Sequence, residues 1–156
     1  MGNHSELFGV CHHSCFSDCG YRHIDTAKRY GVESYLARAI EDSQVDRSDL
    51  FISTKLWPKD YGKAKTQEAA LGSMQRLETD FLDLYSLHWP TCPSSEPNPK
   101  KCIAETWRQL ELLHDAGKLR SIGVSNFQVS WILMDKPEIA FQGLTASANF
   151  ITVQSI

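Results

Sequence analysis

A parallel α/β fold, part of a (β/α)8 TIM barrel with about four to five βα units and no closure, is predicted by three observations. Short β-branched or aromatic runs alternate with helical stretches. Each run brings a titratable or polar side chain to its carboxyl end. The run ends fall near residues 25, 57, 89 and 125, so the repeat is roughly 30 to 36 residues, which suits a βαβ unit. Eight such units make a barrel of about 250 residues. Only the architecture repeats; no side-chain motif does.

Size and charge set the broad class. The chain has 156 residues, 42% hydrophobic and 22% charged, enough for one domain with its own core and unlike a disordered or fibrous sequence. A net charge of -3 with no basic run gives no electrostatic case for nucleic acid or an anionic membrane. No apolar stretch approaches bilayer length, and the start lacks a charged segment followed by an apolar core, so a cytoplasmic protein with no membrane partner is expected. Three segments are expected: a divergent leader (1–19), a half barrel (20–127) and a divergent C-terminal segment (128–156).

In chain order, Cys11, Cys15 and Cys19 recur every fourth residue with His12 and His13 among them. A zinc site needs a tighter knuckle and a second cluster, so no metal is expected, only reduced cysteines in a poorly structured leader. The five cysteines, an odd number, fit reduced thiols. The first strand is the run Gly20-Tyr21-Arg22-His23-Ile24-Asp25. Tyr21, His23 and Asp25 share a face, which brings Asp25 to the carboxyl end, where parallel folds keep their chemistry. Tyr30 then sits on the loop or first helical turn above the strand mouth. Val32, Leu36, Ala39 and Ile40 form an amphipathic helix.

Leu50 to Trp57 is the second strand, closed by Pro58. Phe51, Ser53, Lys55 and Trp57 share a face, and a lysine inside so apolar a strand is costly unless paired or functional. Thr66 is a candidate cap for a helix burying Ala70, Leu71, Met74 and Leu77. Phe81 to Trp89 is the third strand and brings His88 to its end. A Pro/Ser loop follows, long enough to form a lip over a site. Ile103, Trp107, Leu110 and His114 mark a third helix, with Gly117 as its C-terminal cap. Ser121 to Phe127 is the fourth strand, ending in Ser125 and Asn126. Beyond it, Trp131, Ile132 and Met134 suit a helix start, and residues 148 to 156 are apolar enough for one more strand.

Four strand ends thus deliver Asp25, Lys55, His88 and the Ser125-Asn126 pair to one rim, with Tyr30 above. A lysine ammonium beside a phenol lowers the phenol's pKa, and a carboxylate keeps the lysine charged. A histidine adds a donor to the oxygen that the phenol protonates. The set suits proton delivery to a carbonyl oxygen.

The stretches GYRHIDTAKRYG, ISTKLW, LDLYSLHWP and GKLRSIGVSNF, in this order over about residues 20 to 127, resemble the signature stretches of the aldo-keto reductases. The resemblance implies Tyr30 as general acid, Lys55 and Asp25 as its tuning pair, and His88 as the group orienting a small-molecule carbonyl substrate. It further implies NADPH as hydride donor without a Gly-rich phosphate loop, Ser125 and Asn126 on the nicotinamide carboxamide, and Trp57 and Trp89 lining the substrate pocket. Each residue also has a plain structural reading: core or rim aromatics, satisfied buried polar groups, turn chemistry. The family's first strand and helix and its later cofactor motifs find no counterpart. The expectation is therefore a truncated form with an inner face of apolar residues and two open sheet edges, binding cofactor weakly. An inactive form acting through association at those edges is the alternative.

Overall fold

Short β-branched and aromatic runs flanked by capped helices give the alternation seen in the computed structural model, which describes Phe16, residues 19–127, and the strands 144–147 and 150–153. Four parallel strands come first: β1 (His23–Asp25), β2 (Phe51–Leu56), β3 (Leu84–Leu87) and β4 (Ile122–Ser125). Helices α1 (Glu33–Ser43), α2 (Lys63–Arg76) and α3 (Pro99–Asp115) connect them. The registers pair Asp25 with Ser53, Lys55 with Ser86, and Ser86 with Gly123, so every parallel strand ends on one rim. The predicted strands are present but shorter than the apolar runs that announced them.

The strand expected within 148–156 is also present, with a different partner geometry. β6 (Phe150–Val153) pairs antiparallel with β4 and with β5 (Leu144–Ser147), so the sheet order is β1-β2-β3-β4-β6-β5. It is a hairpin on the sheet, and no fifth parallel strand occurs among the described residues. The helix expected around Trp131 lies outside the described residues.

Alternation sorts the side chains. Ile52, Leu56, Tyr85, Leu87 and Val124 pack against the helices, where Leu36, Ala70, Met74, Trp107 and Leu110 join them in one core. On the other face stand Ser53, Lys55, Ser86, His88 and Ser125, all buried. The inner face was expected to be apolar, but near the rim it is polar, because the residues that carry Lys55's network alternate with the core-facing ones. Farther from the rim Phe51 and Tyr21 do expose apolar surface. Of residues 1–18 only Phe16 is described; it is buried in the core, and Arg22 donates to its carbonyl at 2.8 Å.

Several local expectations need correction. Thr66 is not the cap of α2: Gly62 holds that position, with φ 106, and Thr66 lies in the first turn, donating its hydroxyl to the Gly62 carbonyl at 2.7 Å. Leu71 is exposed, and Ala69 and Ser73 take its place in the buried stripe, since both face the sheet. Gly117 does terminate α3, at φ 71 with its N–H donated to the His114 carbonyl. Not all cysteines are thiols. The loop after β3 turns back over the first turn of α3, bringing the Cα atoms of Cys92 and Cys102 to 6.5 Å, and the two are joined in a disulfide.

At the opposite end of the strands, Asp83 is buried and accepts from Arg47 (2.7 Å), Arg120 (3.0 Å) and the Ile52 N–H (2.9 Å). Both guanidinium groups also cover the Phe81 ring, at 4.1 and 3.9 Å. The base of the sheet is thereby cross-linked across β2, β3 and β4.

Candidate active site

Proximity begins with register. Asp25 and Ser53 face each other across β1 and β2, and Lys55 lies one pleat farther toward the rim. Lys55 Nζ donates to Asp25 Oδ2 at 2.6 Å and to the Thr26 carbonyl at 3.0 Å. Ser53 Oγ donates to the other carboxylate oxygen at 2.9 Å. The lysine is 2% exposed whereas the carboxylate is 40% exposed, so the pair is buried from the lysine side only.

Tyr30 arrives by a separate route. A 3-10 turn, Lys28–Tyr30, ends at Gly31, whose φ of 71 reverses the chain into α1. The turn is fastened by Lys28, which pairs with Asp60 at 2.8 Å on the turn following β2. This sets Tyr30 above Lys55, with Nζ 5.6 Å from the ring centroid.

His88 is one residue beyond β3, and its N–H donates to the Leu56 carbonyl at 3.1 Å, so the ladder extends to it. Its imidazole stands edge-on to Tyr30 at 5.8 Å and to Trp57 at 5.2 Å, and lies nearly parallel to Trp89 at 6.2 Å. Asn126, held at φ 62, donates its side-chain amide to the His88 carbonyl at 2.8 Å and to Ser125 Oγ at 3.1 Å. Asp25, Tyr30, Lys55, Trp57, His88, Trp89, Ser125 and Asn126 therefore share one rim.

Electrostatics correct one expectation. Lys55 was expected to lower the Tyr30 pKa; instead it is raised, by burial first and then by the Asp25 carboxylate. The ammonium's charge is already matched by the carboxylate it touches, so the phenol stays protonated at neutral pH. His88 moves the other way. Burial, and next the Lys55 charge, lower its pKa against the opposing pull of Asp25, which keeps the imidazole neutral. A neutral imidazole has one N–H to offer, and buried Nδ1 has no partner among the described residues.

Residues that the sequence did not single out complete the rim. Tyr61 is buried and donates its hydroxyl to the Trp89 carbonyl at 2.9 Å, while the Trp89 N–H donates back at 3.3 Å. Arg29 lies 5.5 Å from the Trp57 ring centroid. Adjacency to Tyr30 was the only signal for Arg29, and nothing local marked Tyr61 or Asp60. No group of three or more potential metal ligands occurs among the described residues. Cys19 is an exposed thiol, while Cys11 and Cys15 lie outside the described residues. No described helix is long and apolar enough to cross a membrane.

The donor set can accommodate a carboxamide. Ser125 Oγ accepts from Asn126, which leaves its O–H to donate, and the Asn126 side-chain carbonyl is an acceptor. One donor beside one acceptor is the complement of a primary amide, as on nicotinamide.

Comparison with known proteins agrees with this geometry. The sequence profile described as the Aldo/keto reductase family matches residues 11–151. An uncharacterized oxidoreductase of Caenorhabditis elegans is 49% identical over 111 residues, covering 71% of this chain and 34% of that protein. The glyoxal reductase of Bacillus subtilis is 46% identical over 110 residues, covering 70% of this chain and 37% of its own length. The crystal structure of a Bombyx mori aldo-keto reductase in complex with NADP matches with a TM-score of 0.69 at 31% identity, over 87% of this chain and 46% of that one. This chain thus spans about a third to two fifths of the length of the curated relatives it matches. The parallel βα units, the rim where their strands end and the profile match converge on one assignment: the chain belongs to the Aldo/keto reductase family.

Proposed function

We propose that this rim reduces small aldehydes and ketones to alcohols with NADPH. The observation that carries the reading is the Lys55–Asp25 contact of 2.6 Å beneath Tyr30, with the neutral His88 imidazole beside the same phenol. Bound NADPH would supply hydride to the carbonyl carbon. Tyr30 holds the proton that the carbonyl oxygen must receive, and its raised pKa keeps that proton in place until charge develops on the oxygen. Lys55, fixed by Asp25 and the Thr26 carbonyl, stabilises the phenolate left behind. His88 donates its single N–H to the carbonyl oxygen and orients it. Ser125 and Asn126 hold the carboxamide, and Trp57 and Trp89 shape the substrate side.

The test is aldehyde-dependent NADPH oxidation by the chain, with glyoxal as a small dicarbonyl probe, against a Tyr30→Phe variant. Turnover should fall at least about a hundredfold in the variant, the scale of a lost general acid. Equal rates in both would overturn the assignment.

A second reading is favoured by the sheet order, which among the described residues leaves β1 and β5 each with a single neighbour. Here the chain is inactive and acts through association at those edges. Absence of turnover in both proteins, together with NADPH binding that is undetectable by fluorescence, selects this reading.

A further inference from the structure

We propose that Cys92 and Cys102 form a reversible dithiol–disulfide site that fastens the rim loop bearing Trp89 to α3. Cys92 lies three residues beyond Trp89, and Cys102 is buried in the first turn of α3, where the two sulfurs are bonded. The Trp89 peptide is clasped in both directions by the Tyr61 hydroxyl. The next residue, Gly62, donates its N–H to Thr106 Oγ1 at 2.8 Å, and Thr106 donates its hydroxyl to the Cys102 carbonyl at 2.7 Å. Trp89, Tyr61, Gly62, Thr106 and Cys102 thus form a chain of contacts that the disulfide closes into a ring. Breaking the bond opens the ring at one point, and the loop from Pro90 to Asn98 keeps the tyrosine clasp but loses its covalent tether.

Both redox states have somewhere to put the sulfur. Cys92 Sγ lies 3.5 Å from the Pro99 carbonyl oxygen, an acceptor for its S–H once the bond is reduced. Cys92 is half-buried and reachable, whereas Cys102 is enclosed, so exchange begins at Cys92. With a glutathione-type disulfide as oxidant, the Cys92 thiolate attacks one of its sulfurs, forming a mixed disulfide and releasing one glutathione thiolate. Cys102 then loses its proton to solvent and its sulfur displaces the second thiolate. Two protein thiols become one disulfide while one glutathione disulfide becomes two thiols, and glutathione reverses each step. Trp89 is 43% exposed and stacked on His88, so the state of the bond is transmitted to the side chain at the mouth of the rim. The bond forms and breaks whether or not the rim catalyses a reaction.

The experiment uses the full chain carrying C11S, C15S and C19S, which leaves one cysteine pair, labelled with 5-fluorotryptophan. It is equilibrated in glutathione buffers of varied ratio, approached from the oxidised and the reduced side. Alkylation with mass spectrometry reads the pair, and fluorine NMR reads Trp89, assigned with Trp89→Phe. The expected result is a disulfide fraction that follows the buffer ratio identically from both sides, with a Trp89 resonance that shifts in step. Adding Cys92→Ser should hold that resonance at its reduced position in every buffer, with unchanged circular dichroism. Cysteines alkylated throughout, a bond that persists throughout, or a Trp89 resonance indifferent to the bond would each overturn the proposal. If Cys92→Ser loses its circular dichroism, the reversible titration of the parent chain decides alone.

Discussion

Lys55 is an ammonium withdrawn from water and answered by a carboxylate that is still 40% exposed. Removing the carboxylate takes the counter-charge from a buried ammonium that also donates to the Thr26 carbonyl, so Asp25→Ala is expected to destabilise the fold by about 1–3 kcal/mol, below the figure for a fully buried pair because Asp25 is partly solvated. Urea unfolding checks this: the midpoint should fall while the slope stays constant. His88 makes a pH prediction. Its native pKa lies below the ordinary value of about 6.5, so the unfolded chain binds the proton first as pH drops. The contribution is complete above about 6.5 and is lost as pH falls through that value toward the native pKa. An NMR titration of the His88 ring should give a midpoint below 6.5. Tyr30 has the mirror-image behaviour, its share of stability being present below its ordinary pKa of about 10 and lost as pH rises beyond it.

At the scale of elements, the strands that bring Asp25, Lys55, His88 and Ser125 to the rim were legible because parallel pairing with period-2 alternation leaves few choices for which residue reaches it. The helices were legible by stripe, less so by boundary. Gly62 caps α2 from a positive-φ conformation that only its glycine identity hints at, and Thr66, the better cap by type, sits a turn too late. What the sequence could not reveal are contacts between residues more than 20 apart with no pattern to link them. Glu33, from α1, is buried and accepts from Thr54 on β2 at 2.8 Å and from Arg76 on α2 at 2.8 Å. Asp83 similarly gathers Arg47, Arg120 and the Ile52 N–H. Asp83→Ala strips the acceptor from two guanidinium groups and a buried amide, and should cost about 3–5 kcal/mol, a larger loss than at Asp25. Denaturant midpoints for the two variants, measured side by side, test the order; a smaller effect at Asp83 would place the strength of the sheet at the rim and not at its base.

For the whole molecule, closure is the deciding issue. In a (β/α)8 barrel the first and last strands pair and no edge is left. Here β4 is met by the antiparallel β6, and among the described residues the sheet runs out to β5 on one side and to β1 on the other, each with one neighbour. An edge strand with free backbone donors and acceptors is a template for another strand. Near β1 the exposed Tyr21 and Phe51 add apolar surface to that edge. Self-association should therefore grow with protein concentration, visible as a rising weight-average mass in sedimentation velocity. If, as proposed, NADPH is held among the described residues through Ser125 and Asn126, it should stabilise the native state weakly, by less than the roughly 2.7 kcal/mol expected of a ligand at a hundred times its dissociation constant. Thermal unfolding with and without NADPH, read alongside the sedimentation series, separates the two effects. A chain that stays monomeric at the highest concentration and gains more than that amount from NADPH would mean that its edges are covered and its cofactor site is complete.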